Sequence, residues 1–157
     1  MKSIDIRPYR NAVVIRTNIY GFHLEHGKSL VEWAIDNLKQ GKSISGFTDV
    51  YFSPVYTKQL AEVIKDIIPT QHFKGILNVV SKECCSKYEF LLRIAQQFNF
   101  NPNLVLKNSV KKFQFLAPRP VNTTLNADLL KRVFDRELRL KDGLSALNRD
   151  YENYERG

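Results

Sequence analysis

The sequence predicts an α/β fold built from a few parallel strands and helices, and three observations predict it. Residues 11–17 (NAVVIRT) and 75–80 (GILNVV) are short apolar runs rich in β-branched residues, the pattern of strands buried on both faces. Segments with helical apolar spacing lie between and after them, several opened by capping signals. Strands that alternate with helices pair in parallel, because the helix returns the chain to the same end of the sheet.

The elements follow in order. Ser29 and Glu32 have capping-box spacing, and Leu30, Val31, Ala34, Ile35 and Leu38 give residues 29–40 an apolar stripe that Gly41 closes. Residues 42–52 read as strand, broken near Thr48 and Asp49. Thr57 is placed to cap a second helix carrying Leu60, Ala61, Ile64, Ile67 and Ile68, which Pro69 ends. Ser86 and Glu89 repeat the capping box and open a third helix with Tyr88, Leu91, Leu92, Ala95 and Phe98. Residues 99–103 read as a loop, because Asn101, Pro102 and Asn103 are turn formers, and 104–106 read as a short strand. The two prolines around Arg119 keep residues 117–122 extended or turning. Asn126 is placed to cap a short helix through Phe134, and Leu140, Leu144, Leu147, Tyr151 and Tyr154 share one face of a last helix.

A chain of 157 residues, 43% hydrophobic and 25% charged, makes one domain over 1–157 with a core of ordinary size. No apolar run reaches the ~18 residues of a transmembrane span, and the first residues have no apolar signal core, so a cytoplasmic protein is expected. Cys84 and Cys85 are adjacent and read as free structural thiols. His23 and His26 lack metal-site spacing, so no metal is expected. The net charge is +8, but the densest basic cluster, residues 131–141, is interleaved with Asp135 and Glu137. That is the pattern of a solvated helix face and makes nucleic acid an unlikely partner. Two strands of the buried type need neighbours on both sides, so a further stretch of chain, a second copy or a separate partner is expected at the sheet edge.

Four segments carry a family resemblance: VVIRTNIYGF (13–22), FTDVYFSPVYTKQLAEVI (47–64), GILNVVSKECCSKYEF (75–90) and APRPVNTTLNADLLKRV (117–133). In this order they resemble the extended short-chain dehydrogenase/reductase family, in its dTDP-4-dehydrorhamnose reductase-like branch. The likeness spans roughly residues 11–135 and leaves 136–157 as a helical tail. It implies the C-terminal portion of a Rossmann-type enzyme, a small mixed domain that selects a nucleotide sugar while the intact enzyme moves hydride with NAD(P). The family's glycine-rich pyrophosphate turn is not in this sequence, and none of the seven tyrosines has a lysine four residues later. The resemblance therefore implies no cofactor held by this chain alone and no turnover alone. It also implies a truncated or split product whose partner could be a separate dinucleotide-binding chain. A non-catalytic regulatory or partner-binding module of the same fold is the alternative.

No catalytic or cofactor-binding residue is assigned. The resemblance places Thr17, Asn18 and Tyr20 at the sugar pocket; by position alone they form a strand-ending turn just past a carboxyl edge, where ligands of open α/β sheets lie. It places Asp49, Tyr51 and Ser53 on the segment crossing the substrate cleft; alternatively that segment is an edge strand with one polar face. Arg119, its backbone restricted by prolines, has a planar fork that suits a diphosphate, or pairs with an acid such as Asp49.

Overall fold

The computed structural model describes residues 12–23, 29–70, 73–113, 117 and 119–154. Eight short strands and five helices are present among them: β1 (Val13–Arg16), β2 (Ile19–Tyr20), α1 (Leu30–Lys39), β3 (Ile44–Phe47), β4 (Tyr51–Phe52), β5 (Val55–Tyr56), α2 (Thr57–Ile67), β6 (Gly75–Asn78), β7 (Cys85–Ser86), α3 (Lys87–Gln97), β8 (Val105–Asn108), α4 (Asp128–Phe134) and α5 (Leu140–Tyr154). The α/β class is as expected from the sequence. Residue 11 and the two ends of the chain lie outside the described residues, as do His26 and Pro118.

The strands pair two by two. β1 runs parallel to β6, with Val13 opposite Gly75 and Arg16 opposite Asn78. β2 is parallel to β5, and β3 to β8, with Ile44 opposite Val105. β4 and β7 are antiparallel, Tyr51 facing Ser86. One expectation needs correction. β1 and β6 are not buried on both faces: Val13, Val14 and Ile15 are half-buried and Ile76 is 41% exposed. Among the described residues each has a strand on one side only, and without a second neighbour their apolar side chains keep part of their surface in contact with solvent.

Local signals explain the helices. The Ser29 Oγ accepts the Glu32 N–H at 3.1 Å, and Glu32 Oε2 accepts the Ser29 N–H at 2.9 Å. Glu32 is itself buried and also takes the His23 ring, whose Nδ1 lies 2.6 Å from Oε2. It therefore fastens the incoming chain to the start of α1. Gly41 adopts the left-handed conformation at φ 69° that closes the helix. Ser86 and Glu89 make the same box at α3. Thr57 does not cap α2 but is its first residue, with Tyr56 before it, and the Gln59 side chain accepts the Tyr56 N–H at 3.2 Å. Asn126 likewise stands one residue outside the cap of α4, yet its Oδ1 accepts the Asp128 N–H at 2.7 Å.

Two apolar clusters form. One gathers Val31, Ala34, Ile35 and Leu38 of α1, Phe90, Leu91, Ile94 and Ala95 of α3, and Leu140, Leu144 and Leu147 of α5. β3 lies so close to α3 that a Cβ on Gly46 would stand 2.5 Å from the Tyr88 Cα; only glycine fits there. The other cluster joins Val55, Val63, Ile67, Leu77, Val79, Leu130 and Leu138. The 52–56 segment runs between them, giving Phe52 and Tyr56 to the first and Val55 to the second. That placement makes it a seam on which loops from both halves converge.

Candidate functional site

β1 and β6 end at Arg16 and Asn78, so Thr17 and Asn18 sit at the carboxyl edge of a parallel pair, the place where open α/β sheets take ligands. Asn18 stitches this edge to the seam. Its Oδ1 accepts the Ser53 N–H at 3.1 Å, its Nδ2 donates to the Thr17 carbonyl at 3.3 Å, and its own carbonyl accepts the Val55 N–H at 3.0 Å. Ser53, 2% exposed, continues the path: its hydroxyl donates to the Leu125 carbonyl at 3.5 Å and accepts the Leu125 N–H at 3.4 Å. Tyr51 is held by its backbone, donating to the Val121 carbonyl at 2.8 Å and accepting the Thr123 N–H at 2.9 Å. Its ring stays 43% exposed. Tyr51 and Ser53 thus meet the 121–125 segment, and Asn18 ties Ser53 to the end of β1.

Two polar atoms at this edge are buried without a hydrogen-bond partner among the described residues: Thr17 Oγ1 and Asn78 Oδ1. Asn78 uses only its Nδ2, which donates to the Asn126 carbonyl at 2.9 Å. Buried polar atoms are nearly always paired, so a hydroxyl-rich ligand or water is the natural complement of these two. Sequence reasoning missed Asn78. Its signal was there: an amide inside GILNVV, where an apolar residue would suit a buried strand.

The other expected residues sit elsewhere. Tyr20 packs into the first apolar cluster, 5.7 Å from the Tyr56 ring and 5.0 Å from Phe90 between centroids. Its hydroxyl is buried without a partner among the described residues, and burial pushes the phenol far above its ordinary value. Asp49 closes a turn: its carboxylate accepts the Ser109 hydroxyl at 2.5 Å and the Val110 N–H at 2.9 Å. Those two bonds hold it below the usual carboxylate range. Arg119 is exposed, two residues before the Val121 carbonyl that holds Tyr51. The basic cluster faces acids, with Arg136 on Asp66 at 2.5 Å, Lys82 on Glu137 at 2.9 Å and Lys131 on Asp135. Cys84 is exposed and Cys85 buried, both as free thiols. Among the described residues no group of His, Cys, Asp and Glu could hold a metal, and no helix is long and apolar enough to cross a membrane.

An NAD(P) pyrophosphate needs backbone that only glycine-lined turns allow. Here Gly46 serves close packing and Gly41 ends a helix.

Known proteins resemble this chain in sequence or in fold. The spore coat polysaccharide biosynthesis protein SpsK of Bacillus subtilis is 27% identical over 118 residues, 74% of this chain and 40% of the relative. The dTDP-4-dehydrorhamnose reductase of Bacillus anthracis, solved in complex with NADP, is 27% identical with a TM-score of 0.72, over 86% of this chain and 47% of that one. The dTDP-4-dehydrorhamnose reductase of Yersinia enterocolitica shares the fold at 22% identity and a TM-score of 0.75, over 87% of this chain and 48% of that one. The chain thus spans about half the length of the proteins it matches or less. The family model described as the RmlD substrate binding domain matches residues 6–152, so the chain belongs to that family.

Proposed function

We propose that this chain forms the nucleotide-sugar-binding part of an NAD(P)-dependent reductase or epimerase, such as a dTDP-4-dehydrorhamnose reductase, and that it turns nothing over by itself. The observation that carries the reading is the pair of unpartnered buried atoms, Thr17 Oγ1 and Asn78 Oδ1, at the carboxyl edge of β1 and β6. A sugar offers hydroxyls for both. Asn18, Ser53 and the exposed Tyr51 ring shape the rim beside them, and Arg119 supplies a cation for the diphosphate. The missing glycine-lined turn and the missing Tyr-x-x-x-Lys pair support the second half of the reading.

Thr17→Val tests it. The substitution keeps the shape and removes a hydroxyl that has no partner, so the fold should hold or gain about 1 kcal/mol in urea unfolding. Calorimetric titration with dTDP-rhamnose should show binding to the wild type and a loss of about tenfold, or about 1.4 kcal/mol, in the variant. Equal affinity for both proteins, or no binding to either, removes the reading. Absorbance at the nicotinamide band should stay constant when NADPH and a 4-keto sugar nucleotide are added. Its decay would overturn the claim of inactivity.

A partner-binding module is the second reading, and the one-sided β1–β6 pair with its exposed Ile76 favours it. The two are compatible where the partner brings the dinucleotide site.

A further inference from the structure

Lys87 is placed unlike Lys58, Lys82 and Lys131. It is the first residue of α3, where the helix dipole disfavours a cation. Its Nζ lies 3.3 Å from the centroid of the Phe52 ring, and Phe52 is almost fully buried. Cys85, two residues earlier, is buried, and burial holds its thiol up at about 12. No carboxylate among the described residues pairs with this amine. Glu89, two residues on, is engaged by the Ser86 N–H at 2.7 Å and the Ser86 hydroxyl at 2.9 Å. By contrast Lys58, Lys82 and Lys131 each meet an acid.

The environment favours the neutral amine. Burial lowers Lys87 from its ordinary value to about 8. The face of Phe52 attracts an ammonium and offsets part of that effect, and the helix terminus opposes it. A lysine desolvated in this way is a nucleophile near neutral pH.

We propose that Lys87 is a covalent-capture site for small carbonyl compounds, its amine adding to an aldehyde or ketone carbon beside the Phe52 ring to form an imine. The nitrogen lone pair makes the new C–N bond. The carbonyl oxygen leaves as water, taking both amine protons, and nothing is oxidised or reduced. The Lys87 N–H bonds the Val50 carbonyl at 2.9 Å, and Ser86 pairs with Tyr51. The amine therefore belongs to the same strand pair as the exposed Tyr51 ring. The inference does not depend on the nucleotide-sugar reading, and a small aldehyde probes it alone.

The full chain is treated with limiting formaldehyde and cyanoborohydride, which reduces each imine to a stable N-methyl group, and methylation is followed by peptide mass spectrometry. At pH 7 Lys87 should react at least about tenfold faster than the exposed Lys42 and Lys107, because burial lowers its amine to about 8 and enlarges its neutral, nucleophilic fraction. Its lead should vanish by pH 10. Lys107 also lies over a ring, 5.6 Å from the Tyr88 centroid, so it controls for aromatic contact without burial. Methylation of Lys87 at pH 7 no faster than that of Lys107 overturns the proposal.

Discussion

Asn18 shows how one side chain can build a rim without touching a ligand. Its carboxamide holds both the Ser53 N–H and the Thr17 carbonyl, leaving neighbouring Thr17 Oγ1 unpartnered. The position of Thr17 and Asn18 at a carboxyl edge was legible because they follow a strand, whereas Ser53 was picked out only by the family resemblance. Asn78 was hidden inside an apolar run, and Tyr20 was drawn into the core by the ring packing of Tyr56 and Phe90, which no local pattern encodes. Lys87 gives a prediction at this scale. Its ammonium titrates near 8 in the fold and near ~10.4 in an unfolded chain. Between those values the unfolded chain binds more protons, so this residue's contribution makes stability rise with pH. Cys85, held up at about 12, acts in the opposite sense, since the folded state keeps a proton that the unfolded chain loses near ~8.5. Lys87→Met should therefore be more stable than the wild type at pH 7.5, with the gap narrowing by pH 10, both measured by urea unfolding. A gap independent of pH would refute the desolvation argument.

At the scale of elements, the helices were readable and the smallest strands were not. The boxes at Ser29 and Ser86 appear in the sequence and in the structure alike, because a cap is a local bargain between residues three apart. β2, β4, β5 and β7 are two residues each, too short for any period to show. Their pairing is set by the seam between the two apolar clusters. The caps differ in what else they hold. Ser29 only starts α1, whereas Ser86 starts α3 and also faces Tyr51 in the β4–β7 pair. Ser29→Ala should cost about 1 kcal/mol. Ser86→Ala should cost about 2 kcal/mol, since it also leaves the Glu89 carboxylate short of a hydroxyl donor. Equal losses in chemical denaturation would show that the Ser86 hydroxyl donation to Glu89 adds nothing.

For the molecule as a whole, the one-sided β1–β6 pair among the described residues is the dominant fact. Its buried appearance in sequence came from composition, which reports what a strand needs and not which polypeptide provides it. The exposed Ile76 and half-buried Val13, Val14 and Ile15 leave an apolar border of the kind that takes another strand. If a second copy uses it, sedimentation should show association of the wild type at tens of micromolar, and Ile76→Lys should weaken it about tenfold. A wild type that stays monomeric throughout that range would exclude self-pairing. The parallel pairing also constrains how the chain is born. Ile44–Phe47 leaves the ribosome well before its mate Val105–Asn108 has been translated, and Val13–Arg16 waits in the same way for Gly75–Asn78. Vectorial synthesis thus delivers helices early and completes sheets late, so a nascent chain stalled short of Asn108 holds Ile44–Phe47 against its helices with the strand edge unpaired.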